Sequence, residues 1–439
     1  MTTRRLTGAL LWAALLILAT SLPGGLRPSS PPPALAQAPQ AVAPAASEAA
    51  ALRPASDAAL IRLARLRIVW GMIDRHYVYA DFRGRDWEAV RARYEPLALA
   101  APDDASFHRL LAAMVAELAD GHTRYLAPAE AGEADQVAAG SHTYPGVGIL
   151  TVARPEALVV LEVLSGSPAE AAGLRRRDQI LAVDGHPWAL DCGEPCAVRG
   201  PERTRVSLTV RSSDGATREV TLMRAPVRAA LAVSAARLDA APSVGYLRIP
   251  TLQSATSAAQ VEAGLRELLA DGPLGGLVLD LRRNGGGRRS QLLGVLGQFV
   301  DGEHGAFFSR RGTAPLVVSA GSLRADLAAV PVVVLVDERT ASAAETLAGV
   351  LQTAGRACVV GGRTAGNVEL VYAYTLDDGS RLLLAREGLR LRDGVILDER
   401  GVAPDVPVEA DWALFSERDD PYIARALAAL AEGACGSAR

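Results

Sequence analysis

The sequence predicts a multidomain α/β protein: an N-terminal helical segment, a small β-rich domain and an α/β core. Three observations carry this. Apolar residues recur at helical spacing from Asp57 to about Leu126. The period turns strand-like between about Gly140 and Arg228, and beyond Arg228 buried strands alternate with amphipathic helices. With 439 residues and 49% apolar content, the chain is long enough for two or three domains with real cores. Its 46 basic and 49 acidic residues nearly balance, so nothing points to a nucleic-acid partner. Every one of those 46 bases is arginine, whose guanidinium stays protonated, so no lysine is present to act as a catalytic base.

Residues 1–36 read as an export signal: Arg4 and Arg5 precede an apolar run from Leu6 to Leu22, and Ala34-Leu35-Ala36 fits small-residue cleavage. The alternative is an uncleaved membrane anchor, which would be the chain's one membrane contact. The run is short for a span, however, and Thr7, Gly8, Thr20 and Ser21 interrupt it. Cleavage removes three arginines and no acids, moving the net charge from −3 to −6. Residues 37–56, rich in Ala and Pro, read as a linker. In an exported chain, Cys192 and Cys196 of DCGEPC are the natural disulfide pair. A metal site there lacks a neighbouring histidine, so no metal or cofactor is expected. Cys358 lies in an apolar strand-like run and reads as a buried thiol, with Cys435 uncommitted.

The helical segment, taken as 57–132, contains blocks at Leu60–Tyr77, Trp87–Leu99 and Phe107–Leu118. Gly121 reads as the C-cap of the last, which leaves His122 in a turn. By itself His122 reads as a capping or surface residue. Residues 138–228 contain strands at Val147–Val152 and Ala157–Leu164 and a hairpin of Thr204–Val210 with Thr217–Leu222 around Ser-Asp-Gly.

The core, 229–415, opens with strand Val244–Ile249, helix Ser257–Leu269 and buried strand Leu277–Leu281, which runs into Arg282-Arg283-Asn284-Gly285-Gly286-Gly287. Glycines at a strand's carboxyl end let backbone N–H groups approach a ligand. A phosphate loop is the rival reading, but the Walker spacing and its lysine are missing. Val332–Val336 is a strand buried on both faces, and after Asp337–Thr340 a helical stretch runs to Leu351. Ser342 therefore sits where a buried strand hands over to a helix, with free N–H groups aimed at it. A hydroxyl nucleophile needs such donors for the oxyanion it creates. The plain alternative is a helix N-cap. Residues 416–439 read as a final helix and tail.

The middle domain resembles a PDZ domain, carried by Tyr144-Pro145-Gly146-Val147-Gly148-Ile149 and by SPAEAAGLRRRDQILAVDG. The resemblance implies a carboxylate loop of Gly146, Val147, Gly148 and Ile149 beside a strand that pairs with extended peptides. Residues from about 57 to 410 resemble the C-terminal processing (tail-specific) peptidases and the tricorn core proteases. The matching stretches, in order, are LADGHTRYL, the PDZ signature, VGYLRIPTL, LVLDLRRNGGG, VVVLVDERTASAAE, VVGGRTAG and DERGVAPD.

This resemblance implies a serine protease core of the ClpP/crotonase type that cuts protein or peptide substrates, with no cofactor. It also implies a PDZ domain that engages free C-termini or gates the site, and leaves room for an activating adaptor protein. One branch of the family uses a serine/lysine dyad; its lysine position is Asn367 here, and the dyad is excluded by composition. The tricorn-like branch implies Ser342 as nucleophile, His122 as general base and Glu399 as the orienting acid, with Asp398 its neighbouring rival. Oxyanion donors would be Ala343 and either Gly286 or Gly287. The expectation is an exported, periplasmic endopeptidase. The alternative is an inactive peptide-binding adaptor on the same scaffold.

Overall fold

The computed structural model describes residues 56–138, 143–193, 196–228, 231–416 and 418–433. The expected export signal and nearly all of the linker lie outside them.

The chain begins with three helices: α1 (Asp57–His76), α2 (Trp87–Ala100) and α3 (Asp104–Ala116). Each starts on a capping side chain. Ser56, Asp86 and Asp103 accept hydrogen bonds from N–H groups three residues on, where no helical acceptor exists. The expected helix end at Gly121 is corrected. Helix α3 stops at Ala116, and Ala119, at φ 53°, makes the left-handed turn. Gly121 serves a different need, because a Cβ there would lie 2.6 Å from the Asn367 side chain. A short strand β1 (Arg124–Leu126) and helix α4 (Pro128–Ala138) follow.

The PDZ unit is a sheet in the order β3 (Ile149–Ala153), β4 (Leu158–Val163), β5 (Gln179–Val183), β7 (Arg205–Arg211) and β8 (Thr217–Met223). Strand β6 (His186–Pro187) pairs with β5, and β2 (Thr143–Gly146) pairs with β9 (Ala225–Arg228) to close the ends of the unit. The short helix α5 (Pro168–Ala171) is capped by Ser167. Cys192 and Cys196 are joined in a disulfide with Cα atoms 5.7 Å apart. Cys358 is also disulfide-bonded, which corrects the reading of a buried thiol; Cys435 lies outside the described residues.

The core contains a six-stranded sheet in the order β10 (Ser234–Leu238), β11 (Ala241–Arg248), β12 (Gly276–Asp280), β15 (Val332–Val336), β16 (Ala357–Gly361) and β19 (Val406–Pro407). All neighbours are parallel except β10 and β11. Strand β15 has no polar residue because both its faces are covered. Val332, Val334 and Val336 pack with helices α6 (Ser257–Ala270), α7 (Arg289–Leu296) and α8 (Ala343–Thr353), and Val333 and Leu335 pack against α9 (Pro421–Ala431) and Trp412.

A second sheet joins the core to the N-terminal helices. Strand β18 (Arg381–Leu391) pairs with β1, β13 (Gly302–Ser309) and β17 (Leu370–Thr375), and β14 (Gly312–Val318) flanks β13. Leu382, Leu384 and Ala385 of β18 are buried in one cluster with Leu66, Ile73, Phe107 and Leu111 of α1 and α3. The helical segment is thereby tied to the core, and the sequence on either side of it is brought to one place. The PDZ unit is held to the core by a buried bridge. Arg177 and Arg282 both reach Asp420, at 2.8 and 2.7 Å, and both stack on Trp412 with guanidinium carbons 4.4 Å from the ring centre.

Candidate active site

Ser342 stands at the carboxyl end of β15, one residue before α8, and is almost fully buried. Its φ and ψ of 58° and −126° depart from the extended values usual at a helix N-cap, the position it holds in α8 with Glu345 as its capping-box partner. They are a sparsely populated conformation that surrounding contacts must hold. Those contacts are visible. The Asp337 carboxylate accepts from the N–H groups of Arg283 and Arg339 and from Trp412 Nε1. Thr340 Oγ1 donates to Leu281 O at 2.9 Å, and Ala341 N–H donates to Asn284 O at 2.9 Å. The serine turn and the glycine-rich loop after β12 are therefore stitched into one unit. Ser342 N–H itself donates to Glu345 Oε2 at 3.0 Å.

The two candidate glycines differ in what they can offer. At Gly286 a Cβ would lie 2.7 Å from Ser342 Cβ and 2.8 Å from Ala343 N, so only glycine lets this loop reach the serine. Its N–H, however, donates to Asn284 Oδ1 at 2.9 Å. Gly287, at φ 155°, lies against the backbone of Leu252. Ala343 is the first residue of α8, where an N–H has no acceptor within the helix.

His122 is placed by β1. Asp120 Oδ1 accepts its N–H at 2.9 Å, Thr123 Oγ1 accepts from Ala385 N–H at 3.2 Å, and Arg124 pairs with Leu383 of β18. The same strand β18 pairs with β17, which begins one residue after Glu369. Sheet register thus delivers Glu369 to the histidine: His122 Nδ1 and Glu369 Oε2 are 2.9 Å apart, with the carboxylate 1% exposed. The histidine turn also meets the serine turn. Glu345 Oε2 accepts both Ser342 N–H and, at 2.8 Å, Asn367 N–H, while the Asn367 side chain fills the space over Gly121.

Glu399 is not at the histidine. Its side chain is 70% exposed and meets Arg83 at 3.0 Å, with its backbone at φ 60°. This departs from the expected third residue, and the physical reason is the register that inserts Glu369. Asp398 is buried instead, accepting from Tyr79 OH at 2.5 Å and from Arg83 at 2.6 Å. Arg83 also reaches Glu369 at 3.2 Å. Burial, and then the hydrogen bond and charge of Glu369, push the Asp398 carboxyl up to about 7. Burial works against ionisation of Glu369 too, but the hydrogen bond and charge of His122 hold it below the usual carboxylate range. Ionisation is thus favoured for the carboxyl at the histidine and opposed for its neighbour. Sequence reasoning missed Glu369, Arg83, Tyr79 and Glu345. The one available signal was Glu369 as a lone acid in the apolar run Val368–Tyr374.

In the PDZ unit Gly146 closes β2, Val147 is buried and Ile149 opens β3. Gly148, at φ 86°, has no room for a Cβ, which would lie 2.1 Å from Ser167 Cβ. Val147, Gly148 and Ile149 line a cavity of about 470 Å³ whose other wall includes Trp188, Leu190 and Cys196. Among the described residues no group of three or more His, Cys, Asp or Glu could hold a metal ion, and no helix is long and apolar enough to cross a membrane.

Comparison with known proteins adds independent findings. Residues 243–408 match the family Peptidase family S41, 64–116 the Tricorn protease C1 domain and 159–212 the PDZ domain. The chain is 32% identical over 370 residues to a carboxyl-terminal-processing protease of Synechocystis sp., covering 82% of this chain and 84% of that protein. It is 32% identical over 371 residues to a chloroplastic C-terminal processing peptidase of Tetradesmus obliquus, covering 78% and 76%. Among solved structures, a photosystem II D1 C-terminal processing protease aligns with TM-score 0.54 and 28% identity over 79% of this chain and 93% of that one. A putative S41 protease from Bacteroides fragilis aligns with TM-score 0.58 at 18% identity over 84% and 97%, which shows a shared fold.

Proposed function

The chain belongs to the S41 family of carboxyl-terminal-processing serine peptidases, and from that premise we propose an exported endopeptidase built on Ser342, His122 and Glu369. The observation that carries the reading is the buried 2.9 Å contact of His122 Nδ1 with Glu369, one residue from the glycine that packs on Asn367 beside the serine turn. Asn367 stands where the family's dyad branch has its lysine, and asparagine cannot take a proton. In this mechanism Ser342 Oγ attacks the scissile carbonyl and passes its proton to His122 Nε2. Glu369 fixes the Nδ1–H tautomer and stabilises the imidazolium, and the ring then protonates the leaving amine. Ala343 N–H and Gly287 N–H receive the oxyanion, because Asn284 already occupies the N–H of Gly286.

The decisive experiment is labelling with a serine-reactive fluorophosphonate, expected to give a single adduct on the peptide that carries Ser342. An intact, folded chain that takes no label would leave the peptide-binding adaptor as the better reading. The PDZ unit is read as the module that engages substrate C-termini through Gly146–Ile149. The Ser342→Ala chain should bind a free-acid peptide more tightly than its amidated form, since the loop's N–H groups lose a charged acceptor. Gly148→Ala, strained at φ 86° and short of space, should weaken that preference. Equal affinity of the unsubstituted loop for both forms would remove the role.

A further inference from the structure

A cavity of about 120 Å³ lies between the PDZ edge and the core, and its floor is the glycine loop of the candidate active site. Leu150 and Leu161 form one wall, and Gly285 and Gly286 the other. Gly286 is the residue packed on Ser342, so anything in this cavity lies close to the reacting bond.

Four charged side chains line it: Glu162, Arg248, Arg283 and Arg339. Glu162 is already spoken for, with Arg248 and Arg176 as its ion-pair partners. Arg283 and Arg339 make no ion pair among the described residues. Asp337 and Glu338 both act on Arg283 through their charge, but Asp337 spends its oxygens on backbone N–H groups, on Thr340 Oγ1 and on Trp412, and neither acid forms an ion pair with either guanidinium among the described residues. Burial and the neighbouring Arg339 charge lower the Arg283 pKa to about 10, which still leaves it cationic at neutral pH. Two like charges, one of them partly buried, thus line one cavity, and neither guanidinium is tied up in an ion pair there. A planar guanidinium pair is suited to a carboxylate, which each can meet with two parallel N–H bonds. The apolar walls suit the extended peptide that carries it.

We propose that Arg283 and Arg339 form a carboxylate-binding subsite that takes an acidic group of the substrate within a few residues of the scissile bond. The inference rests on the peptidase reading of Ser342. The carboxylate can be an Asp or Glu side chain or the substrate's own C-terminus.

The test uses the full chain carrying Ser342→Ala together with Gly148→Ala, which removes the PDZ loop's own preference for a free acid, and short acetylated peptides of one apolar sequence. One set is amidated and has a single Glu or Gln at successive positions. A second has no acidic side chain and ends in a free acid. Titration calorimetry should show about tenfold tighter binding for a Glu peptide over its Gln partner, or for the free acid over the amide. Which set shows it identifies the source of the carboxylate. Arg283→Gln and Arg339→Gln, each added singly, should erase that preference while leaving the neutral peptides unchanged. A preference that survives both changes, or no preference in any set, overturns the proposal. So does a loss that falls equally on neutral peptides. If Arg283→Gln does not fold, Arg339→Gln carries the test, since its side chain is exposed at a turn. Fluorophosphonate labelling of the same arginine variants with Ser342 intact reads the nucleophile separately, so failure of the subsite and failure of the peptidase reading are told apart.

Discussion

Ser342→Ala is expected to lower hydrolysis of an unfolded protein substrate by about four powers of ten or more while leaving the fold intact. The loss is large because the attacking oxygen is gone, and no other hydroxyl shares the position at the helix start. The fold should survive because the change removes one atom and leaves no sizeable cavity. The strained backbone at φ 58° is equally uncomfortable for alanine, so the thermal midpoint should shift by no more than a few degrees. Turnover close to wild type in the purified variant would refute the central assignment.

His122→Ala should cost roughly three powers of ten or more in kcat/KM, as when one member of a triad is removed. The acids then separate two geometries. Glu369→Gln keeps the shape but removes the charge facing Nδ1, so a loss of about two to four powers of ten is expected. Glu399→Gln, on an exposed side chain paired to Arg83, should cost less than about tenfold. If Glu399→Gln proved as damaging as Glu369→Gln, the active arrangement would differ from the one described, with Glu399 swung to the histidine. Asp398 supplies a pH signature. Its carboxyl is raised from 3.8 to about 7 in the folded chain, so the folded state binds the extra proton. The sign follows: stability from this group is complete below the ordinary carboxylate value and is lost as pH rises towards 7. Asp398→Asn should flatten that part of the profile, measured as denaturant midpoints at pH 4.5 and 7.5, with little effect on turnover.

Much of this protein is legible in the chain itself. Val332–Val336 has no polar residue, so it must be covered on both faces, and the observed strand has those bounds. The position of Ser342 at a strand-to-helix junction follows from the same run, and the absence of lysine removes one catalytic branch without any structure. Local rules reach that far because capping, periodicity and composition act within a few residues. They fail where the decisive contact is remote. Glu369 and His122 are separated by 247 residues and meet only because β17 and β1 are both paired to β18. Alternation along a strand tells which face a side chain takes, and never which distant residue waits there. The same holds for Asn284, whose side chain claims the Gly286 N–H, and for Arg83, which crosses from the helical segment to hold Asp398 and Glu399. The residue types in the site were fixed by sequence, but which carboxylate faces the histidine was decided by the tertiary fold, because sheet register sets long-range contacts.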